Sequence, residues 1–197
     1  MYNFINQVKR NEEYKLSDIN RYAGKIKLKE ENVAEHSFYT ALNVIKICSE
    51  FDIEVTENML GMAIIHDIPE YIVGDIPFEF KRDNPQIMKL FETEELEKAI
   101  DKYSNNKYIT KKLTNLFKGD IIDNKVVELA DQMCALQFAH REKTLGNTTD
   151  DIERIYGEAY ERVISGYKDI EKALTNSVYI GVDLSQTDDN TSVAMVT

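Results

Sequence analysis

Met62-Ala63-Ile64-Ile65-His66-Asp67-Ile68-Pro69-Glu70 is the stretch on which the reading of the fold turns. The helix that leads into it begins near Thr56 and carries Met59, Leu60, Met62, Ala63, Ile64 and Ile65. It is apolar nearly all round, which predicts a central helix. Pro69 cannot donate a backbone hydrogen bond and clashes with the preceding turn, so a kink or restart is expected just after His66-Asp67. His66 and Glu70 stand four apart and share a face if helix continues through the proline; Asp67 reaches the same point only where the helix is distorted. Taken alone, His66-Asp67 reads better as a polar step at a helix C-terminus, where imidazole suits the dipole. The apolar flank shifts that balance. A His-Asp pair at the end of a buried helix needs partners, and a metal ion supplies them.

Helical periodicity dominates outward from this point. Residues 3–16 read as a first helix carrying Phe4, Ile5, Val8 and Leu16, and the Lys- and Glu-rich stretch 17–31 as a loop or irregular arm. Asn32, with Glu35 three positions on, approaches a capping box for a helix that runs to about Glu50. Gly74 and Pro77 bracket Asp75 in a turn. Helices are then predicted over 84–104, 108–118 and 121–145, the last stopped by Gly146. A final helix starts at an Asp150 or Asp151 cap; its Ile152, Ile155, Tyr156, Ala159, Tyr160, Val163, Ile164 and Tyr167 form an apolar stripe expected in the core. After about Leu174 the character changes, and 178–184 and 193–196 read as strands. The expectation is an all-α bundle over 1–174 with a short β-like tail at 175–197, although one hairpin alone is marginal.

The length, 197 residues, suits one domain with a sizeable core. A hydrophobic content of 43% with only three prolines agrees with a mainly helical globular protein. No run approaches the roughly 18 apolar residues of a membrane span. The N-terminus lacks the apolar stretch of a signal peptide, so a cytoplasmic location is expected. Cys48 and Cys134 read as buried free thiols. A net charge of −11 repels nucleic-acid backbones. Neither nucleic acid nor membrane is therefore an expected partner. A small phosphorylated substrate is compatible, because one divalent metal and one or two basic side chains suffice locally.

Histidine is scarce, with three in the chain. His36 lies in Glu35-His36-Ser37, His66 precedes Asp67, and Asp131 lies in Glu128-Leu129-Ala130-Asp131-Gln132, an apolar setting where a carboxylate must be paired. His140 has no such setting and reads as surface or helix end. One His, then His-Asp, then a distant Asp, on separate helices, is a ligand set for one divalent cation. Mixed imidazole and carboxylate suits Mn, Fe, Co, Ni or Zn, and an open coordination position would activate water, so hydrolysis is the first hypothesis. No P-loop glycine pattern is present.

These motifs together resemble the HD-domain metal-dependent phosphohydrolases, and within them the bacterial 5′-deoxynucleotidases. Ile19-Asn20-Arg21-Tyr22 with Glu31-Asn32-Val33-Ala34-Glu35-His36-Ser37 resembles the opening motif. His66-Asp67-Ile68-Pro69-Glu70 with Gly74-Asp75-Ile76-Pro77 resembles the second, Lys81 its trailing lysine, and Ala130-Asp131-Gln132-Met133-Cys134-Ala135 the third. The resemblance implies His36, His66, Asp67 and Asp131 as metal ligands. It implies Glu70 and Asp75 as an acid–base pair whose division of labour stays open, and Arg21, Tyr22 and Lys81 as substrate-binding residues. The family has Trp where this chain has Tyr22, which bears on the sugar or base wall. A homodimer is also implied.

The activity implied is release of phosphate from deoxynucleoside 5′-monophosphates. The rival from the same family is a phage-type dATP triphosphohydrolase, for which Lys25-Ile26-Lys27-Leu28-Lys29 would meet extra phosphates. A (p)ppGpp hydrolase fits less well, because Glu70 is followed by Tyr71 and not by Asp. A catalytically silent helical protein with a structural metal is the rival of another class. The tail Tyr179-Ile180-Gly181-Val182-Asp183-Leu184-Ser185 resembles the first strand of the RNase H-like nuclease domain of phage terminases. It is too short to fold as one and is assigned no nuclease activity.

Overall fold

The computed structural model describes residues 12–116 and 122–193. A 3-10 turn, Glu12–Ser17, is followed by α1 (Val33–Glu50), α2 (Glu57–Ile65), the single turn α3 (Glu70–Val73), α4 (Phe78–Asp83), α5 (Pro85–Lys102), α6 (Lys107–Leu116), α7 (Ile122–Thr144) and α8 (Asp150–Val193). Among the described residues there is no strand, only an isolated bridge between Asn20 and Asn32. No helix there is long and apolar enough to cross a membrane.

Local chemistry explains most boundaries. The Asn32 side chain accepts the Glu35 backbone N–H at 2.9 Å and the Glu35 carboxylate accepts the Asn32 N–H at 3.3 Å, a complete capping box. The Thr56 hydroxyl accepts the Met59 N–H at 3.0 Å and starts α2. Gly146 takes the left-handed conformation, φ 96°, that ends α7.

Two apolar clusters hold the helices in place. Val44, Ile47 and Cys48 of α1, Met59, Met62 and Ala63 of α2, Val126, Val127, Leu129 and Ala130 of α7, and Ile170 of α8 form the larger one. Leu16, Val33, Ile65, Ile68, Ala99, Tyr103 and Leu113 form the second, on the other side of the α2 terminus. Both thiols, Cys48 and Cys134, are buried and free.

Three expectations are corrected. The stretch 178–184 is not a strand but continues α8, which runs to Val193. With no strand among the described residues to pair with, a lone strand would leave its N–H and C=O groups unmet, whereas a helix satisfies them internally. The helical stripe of α8 is narrower than its spacing implied. Ile152, Ala159 and Ile170 are buried, but Tyr160, Ile164 and Tyr167 are exposed, because α8 lies along α7 at a close approach where a Cβ on Gly166 would stand 3.1 Å from Leu129. Nor is α2 buried all round, since Ile64 is 56% exposed. The opening helix falls largely outside the described residues, as do most of residues 193–196.

The polar arm of residues 18–31 is fixed from an unexpected quarter. The Glu142 side chain on α7 is fully enclosed and accepts the backbone N–H groups of Leu28 (2.7 Å) and Lys29 (2.8 Å) and the Asn147 amide (2.8 Å). Asn147 in turn donates to the Ile26 carbonyl at 2.9 Å. Burial raises the Glu142 pKa, but these donors outweigh it and hold the carboxyl below its ordinary value. Replacing Glu142 with Ala leaves buried donors unmet and should cost about 2–4 kcal/mol in chemical denaturation. The wild-type contribution is present above the ordinary glutamate pKa and lost as pH falls through the lowered one. Glu142→Gln should flatten that acid-side loss.

Candidate functional site

Three parts of the chain deliver one cluster. His36 sits in the first turn of α1, fixed by the capping box. His66 closes α2. Beyond it, Ile68 N–H bonds Ile65 O (3.0 Å), Glu70 N–H bonds Asp67 O (3.0 Å) and Ile72 N–H bonds Pro69 O (2.9 Å). These are 3-10 contacts, so the chain tightens at the proline as expected, and Asp67 comes to stand beside His66. Asp131 arrives from the middle of α7.

His36 Nε2 lies 3.2 Å from His66 Nε2, 3.2 Å from Asp67 Oδ2 and 3.0 Å from Asp131 Oδ1. His66 Nε2 lies 3.3 Å from Asp67 Oδ2 and 4.0 Å from Asp131 Oδ1. His36, His66 and Asp67 offer ligand atoms within 4.8 Å of one another, with Asp131 at their edge. Bonds of about 2.0–2.1 Å to a tetrahedral ion place neighbouring ligand atoms roughly 3.3 Å apart. The separations among His36, His66 and Asp67, 3.2–3.3 Å, match that value, so these three fit a single divalent cation, with Asp131 Oδ1 3.0 Å from His36 Nε2.

The protonation pattern also suits a cation. His66 Nδ1 lies 2.9 Å from the Ala63 carbonyl, which makes Nδ1 the donor and leaves Nε2 with its lone pair facing His36. Burial, and then the Arg21 charge, lower the His36 pKa against the pull of Asp131 and Asp67. Its imidazole is therefore neutral at pH 7. Asp131 is held far below its ordinary value: burial opposes ionisation, but the His36 hydrogen bond and nearby positive charge prevail.

The other candidates surround this cluster. The Glu70 side chain is 13% exposed, and its buried Oε2 has no hydrogen-bond partner. Burial, reinforced by Asp67 and Asp75 and opposed by Arg21 and Lys81, pushes its carboxyl up to about 9. Asp75 Oδ2 accepts the Tyr22 backbone N–H at 3.1 Å. Tyr22 has φ 57°, a left-handed conformation costly for a bulky side chain. Its ring stacks on Phe138 with centroids 3.9 Å apart and planes 9° from parallel. Arg21 Nη1 is buried without a hydrogen-bond partner, 3.9 Å from Glu31. Lys81 Nζ lies 4.0 Å from Glu70 Oε1.

A cavity of about 280 Å³ opens onto the cluster, lined by Arg21, Tyr22, Asp67, Glu70, Asp75, Lys81 and Asp131 and closed on the far side by Gln132, Ala135, Ile155, Glu158 and Arg162. Every site residue singled out from sequence thus lies at this cavity or in the cluster that floors it. The far wall was missed. Ile155, Glu158 and Arg162 share one face of α8 by their spacing, but only the orientation of α8 reveals that this face meets the cluster. Phe138 was also missed, although it lies two turns beyond Asp131 on the same side of α7. His140 is exposed, as expected.

The chain is similar to known proteins in both sequence and fold. The chain is 28% identical over 148 residues to a 5′-deoxynucleotidase of Photorhabdus laumondii, covering 68% of this chain and 72% of that one. It is 29% identical over 149 residues to 5′-deoxynucleotidase YfbR of Escherichia coli, covering 68% and 71%. In fold it matches an HD-domain phosphohydrolase from Listeria innocua (TM-score 0.65, 23% identity, 88% of each chain). It also matches an HD phosphohydrolase of cyanophage S-2L bound to dA and one catalytic Zn²⁺ ion (TM-score 0.62, 14% identity, 85% of this chain and 95% of that one). The sequence profile of one family covers residues 12–178, and the chain belongs to that family, the YfbR-like 5′-deoxynucleotidases.

Proposed function

We propose that this protein is a metal-dependent phosphohydrolase that releases inorganic phosphate from deoxynucleoside 5′-monophosphates. The observation that carries the reading is the meeting of His36, His66, Asp67 and Asp131 beneath a cavity edged by a carboxyl group whose pKa is raised to about 9. The naming of the curated relatives as 5′-deoxynucleotidases supports the substrate class.

The two imidazoles and two carboxylates would hold the cation, and this donor set accepts Co, Mn, Zn, Fe or Ni. When bound, the ion supplies Lewis acidity to phosphate and water. Arg21, whose Nη1 has no hydrogen-bond partner, and Lys81 bind and neutralise the phosphate oxygens. Glu70, protonated near neutral pH, gives its proton to the departing ribose oxygen. Asp75, with one oxygen committed to Tyr22, orients the attacking water with the other and takes the proton the water loses as its oxygen bonds to phosphorus. Tyr22, stiffened by Phe138, forms the sugar wall. The tail at 175–197 takes no part in this reaction.

One observation favours monophosphates over triphosphates. Lys25 is bound to Glu79 (2.9 Å) and Asp151 (3.1 Å), and Lys27 to Glu30 (2.9 Å) and the Arg21 carbonyl (2.8 Å). Two of the three lysines that would receive further phosphates are already neutralised. Product analysis tests the whole reading: orthophosphate from dAMP is expected with Mn, Co or Zn, while tripolyphosphate from dATP would transfer the assignment to the rival activity and no release would leave a silent metal protein.

Two further outcomes follow from the same geometry. His66→Ala and Asp67→Ala should each abolish both turnover and metal retention, the latter read by elemental analysis after dialysis. Glu70→Gln should keep the metal and lose about 10²–10⁴-fold in kcat. With Glu70 as the acid, the wild-type rate falls as pH rises through its pKa, which a bound cation lowers from about 9 toward neutrality. A kcat that instead climbs through that range would make Glu70 the base.

A further inference from the structure

The residues that would bind phosphate come from two segments that are not continuous with each other. Arg21 and Tyr22 lie on the arm, whereas Asp75 and Lys81 lie on the stretch that includes α4. That stretch begins at Gly74, whose φ of 82° favours glycine, and ends at Asn84, which leaves helical geometry at φ −131° and ψ 54°. It packs mainly against α5, its successor in the chain, and Phe80 is left 46% exposed. Among its described side chains, therefore, little apolar burial fixes its distance from the arm.

Two polar rungs join arm and stretch. The first is the Tyr22 N–H to Asp75 Oδ2 bond of 3.1 Å, made by a residue assigned to the reaction itself. The second is Lys25 Nζ to Glu79 Oε1 at 2.9 Å, three residues further along the arm and four further along the stretch. Glu79 Oε1 also accepts from Arg154 of α8 at 2.6 Å, and Asp151 closes the array by accepting from Lys25 (3.1 Å) and Arg154 (2.7 Å). Two cations and two carboxylates thus alternate in one ring that spans arm, α4 and α8. Their side chains are between 18% and 37% exposed, so water and salt screen them only in part. A second strut, Arg82 to Glu158 at 2.8 Å, is more exposed and shares Arg82 with Asp83. An exposed, shared pair of that kind contributes little.

We propose that Glu79 is a positioning residue: by bridging Lys25 and Arg154 it fastens the Asp75–Lys81 stretch over the arm, so that Lys81 and Arg21 face one phosphate. It keeps this register when Asp75 turns to the reaction. The kinetic consequence rests on the nucleotidase reading; the fastening itself does not.

The test compares wild type, Glu79→Gln and Glu79→Asp in the intact chain. Limited trypsinolysis after Lys81 and Arg82 reads the fastening without any substrate. Cleavage there should quicken about tenfold in Glu79→Gln, and in wild type on moving from 50 mM to 500 mM NaCl, while the thermal midpoint moves little. With dAMP, KM should rise about five- to tenfold in Glu79→Gln with kcat within about twofold. Glu79→Asp should recover part of both effects. Equal cleavage rates in wild type and Glu79→Gln would overturn the proposal, as would a cleavage increase matched by a general loss of thermal stability. Altered cleavage with no dAMP turnover in any variant would uphold the fastening and refute the substrate.

Discussion

Two imidazoles and two carboxylates gathered around His36 Nε2, each of the other three within 3.2 Å of it at the end of an apolar helix, are the constraint that organises this molecule. Charged and polar groups so close together are costly to remove from water unless something neutralises them. They cannot relax apart. The apolar clusters on either side of the α2 terminus clamp α1, α2 and α7, and the proline turn holds Asp67 against His66. A cation would relieve the arrangement, because the surrounding core does not let these side chains separate.

The parts legible in the sequence are those decided within a few residues. The Asn32 capping box, the break at Pro69, the stop at Gly146 and the buried thiols each follow from local chemistry, and each is present. The residues of the cluster were legible for a different reason: a carboxylate or imidazole in an apolar helix declares a need for a partner. What stayed hidden depends on how distant segments meet. Glu142 binds an arm more than a hundred residues earlier, and nothing near it announces this. The α8 stripe had the right spacing, yet spacing says nothing of how wide a face the neighbouring helix covers. Its outer rank, Tyr160, Ile164 and Tyr167, is left exposed. The strand reading of 178–184 rested on β-branched composition, a weak preference that needs a sheet to become real.

A protein of net charge −11 that binds an anionic substrate must concentrate its positive charge. The structure does this by pairing. Lys25, Arg154 and Arg82, all near the cavity, are tied to carboxylates and spent on architecture. Arg21 Nη1 keeps no hydrogen-bond partner, and Lys81 stands 4.0 Å from a carboxyl group that its surroundings keep protonated. Arg21 and Lys81 thereby bring positive charge to the cavity wall beside the cluster.

The same crowding couples the metal to the proton. Glu70 holds its proton first because it is buried, and then because Asp67 and Asp75 are close. A cation beside Asp67 cancels part of that repulsion and makes the ionised form of Glu70 easier to reach. Linkage makes the effect reciprocal: whatever favours ionised Glu70 must favour the bound cation by the same free energy. Metal affinity should therefore rise with pH across the Glu70 titration, beyond the part due to the histidines. On the proposed mechanism, the acid that would expel the ribose oxygen and the ion that would attract phosphate are thus set against each other through Asp67. Turnover by this mechanism should peak in the pH interval where both are retained.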